Sequence, residues 1–333
     1  MKSIRITSVQ RATRLALGAV AVVAAQGIAQ VAAAADAWPS KPIRLVVPFS
    51  AGGANDLMAR AAAEGASRAL GQPIIVDNKP GAGTTLGADV VAKSAPDGYT
   101  FLVSAAGVIS NGMIKKTMPY KDEALVPVAM IGLAPSVIVV PANAPYDNLK
   151  DFIAASKKTP NGFHWSTAGT GSTPHFVEGL LETKYGAKLD VVPYKSGSES
   201  ITAVLGSQVE ATSEASIVVL PYIKSGKLKA LADTWTQRIS AYPDLKTATE
   251  QGFPDIKIAH WAGVHAPRGT PDAILDKMAA AVDTAMKNAT TVERLKGMGI
   301  EPIGGTRAAF VKFVSEERAR LGGVVKATGM KED

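Results

Sequence analysis

Two stretches of the 333-residue chain gather glycines and hydroxyl side chains where an apolar run gives way to a helical pattern. The first follows Leu45-Val46-Val47 and reads Pro48-Phe49-Ser50-Ala51-Gly52-Gly53-Ala54-Asn55-Asp56. The second follows Phe163-His164-Trp165 and reads Ser166-Thr167-Ala168-Gly169-Thr170-Gly171-Ser172-Thr173-Pro174-His175. A strand, a glycine turn and a helix start leave backbone N–H groups unpaired at the positive end of the helix dipole, and glycine lets a ligand come close. The chemistry this suits is capture of a carboxylate or a phosphate. The candidate ligand contacts are Phe49, Ser50, Ala51, Gly52, Gly53, Asn55 and Asp56 in the first stretch. In the second they are Ala168, Gly169, Thr170, Gly171, Ser172 and His175. Either stretch alone also suits an ordinary capped corner of an α/β domain. Two of them, one per lobe, are more telling, because their anion-binding ends could face each other across a cleft.

Two further residues join the candidates. Ser104 ends another apolar run, and Glu214 sits just past an expected strand at 209–212. By default Glu214 is a solvated surface acid. Facing a cleft, it would accept from a ligand amine or hydroxyl, repel an extra carboxylate, or bind a protonated acid.

Other chemistries find little support. Gly81-Ala82-Gly83-Thr84-Thr85-Leu86-Gly87 has G-x-G-x-x-x-G spacing, and no acid lies about 20 positions on to hold a ribose hydroxyl. It reads better as a structural turn near the cleft. No G-x-x-x-x-G-K-[ST] and no G-x-S-x-G occurs, and Ser172 with His175 is a spacing of capping rather than of a catalytic triad. The four histidines, His164, His175, His260 and His265, form no H-E-x-x-H, and His260 and His265 point to opposite faces of a strand. We therefore expect no catalytic residue, no metal and no cofactor.

The elements that must position these residues follow a βαβ pattern. Strands are expected at 43–47, 74–76 and 100–104, with helices at 56–70 and about 88–93 between them. Asp56 is the expected N-cap of the first helix and Gly71 its left-handed C-cap. Parallel βαβ units put loops 49–56, 81–87 and 104–107 on one sheet edge. The apolar run 126–140, broken by Pro127 and Pro135, suits a strand passing between domains. A second series then places strands at 163–166, 189–192, 209–212 and 228–232, with helices at 173–184, 198–206 and 217–225. Either Ser172 or Thr173 caps the first of these helices. Residues 261–267 read as the return crossing. Two helices close the chain, one starting at Thr270-Pro271 with Ile274, Met278, Val282 and Met286 on its apolar face. The other starts at Thr306, with Phe310, Phe313 and Val314 inward.

Residues 1–35 carry four basic residues and no acid, then an apolar run and an Ala-x-Ala site, which is the pattern of a secretory signal peptide. Cleavage after Ala35 leaves 298 residues and lowers the formal net charge from +7 to +3. No basic stripe with interleaved aromatics points to nucleic acid. With no cysteine, the exported chain has neither disulfides nor a lipid-modified cysteine. A free periplasmic protein is expected.

Taken together, a series of segments resembles a known family. They include Trp38-Pro39-Ser40-Lys41-Pro42-Ile43-Arg44, Val47-Pro48-Phe49 with Gly52-Gly53, Asp56 and Ala59-Arg60, and Leu70-Gly71-Gln72-Pro73. Further on come Asn78-Lys79-Pro80-Gly81-Ala82-Gly83, Ala95-Pro96-Asp97-Gly98-Tyr99-Thr100, Val192-Pro193-Tyr194-Lys195, Ile223-Lys224-Ser225-Gly226-Lys227-Leu228 and Ala266-Pro267-Arg268-Gly269-Thr270-Pro271. In this order they resemble the Bug-type solute-binding receptors of tripartite tricarboxylate transporters, over essentially the whole mature chain. The resemblance implies an α/β type II periplasmic-binding-protein fold, a Venus flytrap of two lobes around a ligand cleft. Lobe 1 is expected at 36–137 and 261–333, and lobe 2 at 138–260. It implies that loops 49–56 and 166–175 hold a small organic carboxylate or dicarboxylate, aromatic ones included, largely through backbone N–H groups, hydroxyls and water. It also implies membrane transporter subunits as partners. The chain departs from the family at Glu214-Ala215, where Asp-Asn is frequent, and at Ser196, where Gly is frequent. Alternative readings keep the fold and present the ligand to a sensor kinase ectodomain, or place a secreted hydrolase in the same cleft.

Overall fold

The computed structural model describes residues 38–194 and 196–332. The export signal expected at 1–35 lies outside the described residues. In chain order, the first unit is β1 (Ile43–Val47), α1 (Ala54–Leu70), β2 (Ile74–Asn78), α2 (Thr85–Ala92), β3 (Thr100–Ser104) and α3 (Ala106–Ile114). β1 lies between β2 and β3, parallel to both, with Leu45 opposite Val76 on one side and Phe101 on the other. β1 is apolar apart from Arg44, as a strand covered on both faces should be. The carboxyl ends of all three strands share one edge.

β4 (Leu125–Pro141) is 17 residues long and buried almost throughout. It leads into a second series: α4 (Leu149–Lys158), β5 (Phe163–Thr167), α5 (Thr173–Tyr185), β6 (Leu189–Pro193), α6 (Gly197–Leu205), β7 (Ala211–Ala215), α7 (Ser216–Lys224) and β8 (Leu228–Asp233). Here β5 lies parallel between β6 and β7. The chain returns through β9 (Ala259–Pro267) and ends with α8 (Asp272–Lys287), α9 (Ala289–Gly297), β10 (Glu301–Pro302) and α10 (Arg307–Thr328). The strand order is β2-β1-β3-β9-β4-β7-β5-β6, with β8 and β10 also on β4. β4 runs antiparallel to β9 along residues 125–135, then to β7 and β8 along residues 136–141. The two crossing strands expected from sequence are these. Proline cannot donate to a ladder, and the β4–β9 register slips by a bulge next to Pro127.

Two large apolar clusters hold the lobes, and the second also takes in Ile109 and Ile114 of α3 from the first lobe. In the first, Met58, Ala62 and Ala66 of α1 pack with Leu275, Met278 and Val282 of α8. In the second, Phe152, Phe163, Trp165 and Phe176 gather under the parallel strands. α10 lies across the crossing strands, where Trp261 meets Phe310 at 6.1 Å and Phe313 at 5.4 Å between ring centroids.

Several expectations need correction. α1 begins at Ala54 with Gly53 as N-cap, so Asp56 is in the first turn rather than at the cap. Residues 104–107, expected as a loop, lead straight into α3, which had no sequence counterpart. It carries two glycines, starts from Ala105 with no side-chain cap, and is largely buried, so it shows no polar face. α4 and α9 were also missed, although Asn148 and Asn288 cap them. β7 runs to Ala215, which places Glu214 inside the strand rather than beyond it. α8 starts at Asp272 after Pro271, because Thr270 Oγ1 donates back to Pro267 O at 2.8 Å instead of capping.

Candidate ligand-binding cleft

The loop after β1 is shaped by Asp56. Its carboxylate is 1% exposed and turns back toward the loop. Oδ2 accepts from Gly52 N–H at 2.9 Å and from Arg60 Nε at 2.9 Å, and Oδ1 accepts from Asn78 Nδ2 at 2.9 Å. Asn78 Nδ2 also donates to Phe49 O at 3.0 Å, and Arg60 Nη2 donates to Asn78 Oδ1 at 3.1 Å. Burial pushes the Asp56 pKa upward. The bonds from Arg60, Gly52 and Asn78 outweigh it and hold the carboxyl below its ordinary value. Asp56 and the Gly52 N–H are thus engaged with each other, and Gly52 takes the left-handed φ of +83° that the bond requires. Ser50, Ala51 and Gly52 remain exposed, with Phe49 and Gly53 half-buried. The first turn of α1 has no side-chain cap.

Three of the expected site residues meet the crossing strand β9. Asn55 Nδ2 donates to Trp261 O at 2.9 Å, and Ser104 Oγ, fully buried, donates to Gly263 O at 3.1 Å. Glu214 Oε1 lies 3.2 Å from His260 Nε2. The donors of Asn55 and Ser104 therefore tie their lobe to β9. Glu214 is 7% exposed, so the solvated reading of it is overturned.

The loop after β5 is held by neutral groups. Ser172 is the N-cap of α5, but its Oγ donates to Gly169 O at 2.6 Å and leaves the helix start uncapped. Gly171 N–H donates to His175 Nδ1 at 3.2 Å, and burial lowers the His175 pKa, so the ring is neutral with its proton on Nε2. Gly169 N–H donates to Thr167 Oγ1 at 3.3 Å. Ala168, Gly169, Thr170 and Ser172 stay half-buried. Beneath them Ser200 Oγ donates to Ser166 Oγ at 2.7 Å, and Thr212 Oγ1 donates to Ser166 O at 2.7 Å. Gly171 has φ +73°, and a Cβ there would sit 2.8 Å from Ile114 Cδ1. This second-lobe turn therefore rests on α3 of the first lobe.

Sequence reasoning assigned no role to Arg60, Asn78, Asn111, Ser110 or His260. Arg60 follows Asp56 by four residues, a helix spacing that could have signalled the pair. Asn111 Nδ2 donates to Gly83 O at 2.7 Å and lies 3.2 and 3.1 Å from the Thr84 and Thr85 hydroxyl oxygens, which fixes the turn after β2. Ser110 Oγ is fully buried and has no partner among the described residues. A shallow surface groove of about 510 Å³, lined by Lys93, Tyr120, Lys121 and Arg268 among others, lies at the C-terminal end of α2, away from the strand ends that carry these loops.

Helix starts follow a pattern across the fold. α1, α2, α3, α5 and α7, which begin after the carboxyl ends of parallel strands, have no side-chain cap. α4, α9 and α10, which begin elsewhere, are capped by Asn148, Asn288 and Thr306. α6, capped by Ser196, and α8, uncapped, are the exceptions. Helix starts without a side-chain cap thus collect on the edges where the glycine turns lie.

Two α/β lobes joined by paired crossing strands, with glycine turns on their strand ends, define a solute-binding protein. Residues 58–330 match the family model described as tripartite tricarboxylate transporter family receptor. The chain is 36% identical over 300 residues to protein BugT of Bordetella pertussis, covering 89% of this chain and 92% of that one. The solved structure of periplasmic binding protein BugD superposes with a TM-score of 0.79 at 30% identity, over 89% of this chain and all of the other. That of Rpa4515 from R. palustris with adipate gives 0.82 at 30% identity, over 88% and 99%. The chain belongs to the tripartite tricarboxylate transporter receptor family, whose members bind solutes and are not enzymes. Among the described residues no helix is long and apolar enough to cross a membrane.

Proposed function

We propose that this chain is a periplasmic receptor that captures a small organic carboxylate and delivers it to the membrane subunits of a tripartite tricarboxylate transporter. The signal expected at 1–35 exports it, with cleavage after Ala35. Lobe 1 comprises 36–137 and 261–333, and lobe 2 comprises 138–260. The observation that carries the reading is the pair of glycine turns leading into helices without side-chain caps, α1 in one lobe and α5 in the other. Ser50, the N–H groups at the start of α1, and the N–H groups of Ala168 and Thr170 grip the acid, while those of Gly169, Gly171 and Ser172 are bonded within the turn. Each charge-assisted hydrogen bond contributes about 1.5–3 kcal/mol, so two to four of them reach about micromolar affinity without a cation in the pocket. Arg60 and Lys115, which border the first-lobe turns, are already paired with Asp56 and Glu332. The adipate bound by the relative from R. palustris supports the class of ligand.

Isothermal titration and thermal shift against mono-, di- and tricarboxylates, aromatic ones included, test the reading. At least one acid should bind at micromolar Kd or better and raise Tm. No heat and no shift with any of them would overturn it.

A further inference from the structure

Glu214 is a buried acid for which the capture of one carboxylate provides no task. It lies at the carboxyl edge of β7, beside the end of β5 that leads into the turn at 168–172. Across β4 it is opposite Val137, one residue from the Ser136–Ala215 pair, where the chain passes between the lobes. Its Oε1 accepts from Ala215 N–H at 2.8 Å and lies 3.2 Å from His260 Nε2. His260 Nε2 is also 3.4 Å from Ser136 Oγ. Oε2 has no donor from any described residue, and no lysine or arginine among them pairs with this acid. A Cβ on Gly197 would overlap Oε2, so only glycine at that position leaves the oxygen its room. A side chain 9% exposed, with one oxygen engaged and the other without a donor among the described residues, is a strong acceptor in a low-dielectric setting.

We propose that Glu214 Oε2 receives the far end of the ligand and makes the receptor selective for solutes with a carboxylate at one end and a hydrogen-bond donor, an ammonium or a hydroxyl, at the other. This inference rests on the receptor reading above. A second carboxylate at that end would meet Glu214 as a like charge with no lysine or arginine of the described residues between them. An ammonium would meet a partner already oriented by Ala215 and His260. The alternative is that Glu214 only steadies the start of α6 through its contact with Gly197. In that case the chemistry of the ligand's far end would not matter to it.

The test compares pairs of equal length by isothermal titration: succinate with γ-hydroxybutyrate and γ-aminobutyrate, glutarate with δ-aminovalerate, and adipate with ε-aminocaproate. Wild-type protein should bind the donor-ended member of at least one set more tightly than the diacid, by about tenfold or more. Glu214→Gln keeps the shape but offers an amide, and should erase or reverse that preference while the Tm of the unliganded protein moves by less than about 2 °C. Glu214→Asp serves if the Gln variant folds poorly. It retains the charge but withdraws it by one methylene, so it should weaken the donor-ended ligand and still disfavour the diacid. Diacids binding as tightly as their donor-ended partners, or a preference that survives Glu214→Gln, would overturn this inference and leave the receptor reading standing. Failure of every acid to bind would remove both.

Discussion

In the first lobe the turn at 49–53 is held by a buried carboxylate with a cation beside it, and in the second the turn at 168–172 is held by neutral groups alone. Asp56 gathers Gly52, Arg60 and Asn78 onto one group within the same lobe. The second turn has the Ser172 hydroxyl and N–H, the His175 ring and Thr167, and it leans on Ile114 of the other lobe. The nearest helices repeat the contrast. Asp56 on α1 is held below its ordinary pKa, whereas Glu178 on α5, 4% exposed, is pushed up to about 8 by burial and then by Glu182. The first turn is therefore held by groups of its own lobe, and the second leans in part on the other.

The largest effect is expected where the first turn is anchored. Asp56→Ala removes the acceptor of Gly52 N–H and Arg60 Nε and one of the two acceptors of Asn78 Nδ2. Its cost should fall at the lower end of the about 3–5 kcal/mol typical of breaking a buried ion pair, because Arg60 is half exposed. Urea unfolding measures it. The folded pKa is depressed, so this stabilisation is complete above the ordinary value of 3.8 and fades as the pH falls through the lower folded value. The gap between variant and wild type should therefore close only in strong acid.

The second turn should respond through lobe contact instead. Gly171→Ala carries about 1–2 kcal/mol of left-handed strain as well as the overlap with Ile114, and should weaken the tightest acid about tenfold in titration. Adding Ile114→Ala should restore part of that affinity. No restoration would mean that the contact with α3 does not govern the turn.

Smaller effects sharpen the contrast between the two helices. Glu178 has a raised folded pKa, so the stability it contributes is present below its ordinary 4.5 and is lost as pH rises toward about 8. Glu178→Gln should raise Tm at pH 8 by about 2–4 °C and should match wild type near pH 4. Equal melting at both pH values would show that the buried acid carries no such penalty. Smallest is Ser110→Ala, which removes a buried hydroxyl without a partner and should leave stability unchanged or higher by up to about 1 kcal/mol in urea unfolding. A clear loss would mean that the hydroxyl has a partner after all.

What the sequence disclosed and what it hid divide by range of interaction. Gly71 as a left-handed C-cap, Ser172 as an N-cap and the crossing strands were legible, because turn chemistry and apolar runs act over a few residues. Family membership was legible because many short segments occur in a fixed order. The task of Asp56 was not, since its capping type suggested a local bond whereas one partner, Asn78, lies 22 residues on. Glu214 looked solvated because nothing near it in sequence shows that His260 will close over it. α3 escaped because a buried helix with two glycines has neither the polar stripe nor the cap by which helices are read. Asn55 and Ser104 were marked as ligand contacts, and the partners of their side-chain donors are carbonyls of β9, which no local pattern indicates.

The most direct test is a crystal structure grown with the tightest acid from the titration panel. The account predicts its carboxylate between the turns at 49–53 and 168–172, within hydrogen-bonding distance of main-chain N–H groups from both lobes. A carboxylate found elsewhere, or resting against a lysine or arginine side chain, would contradict it.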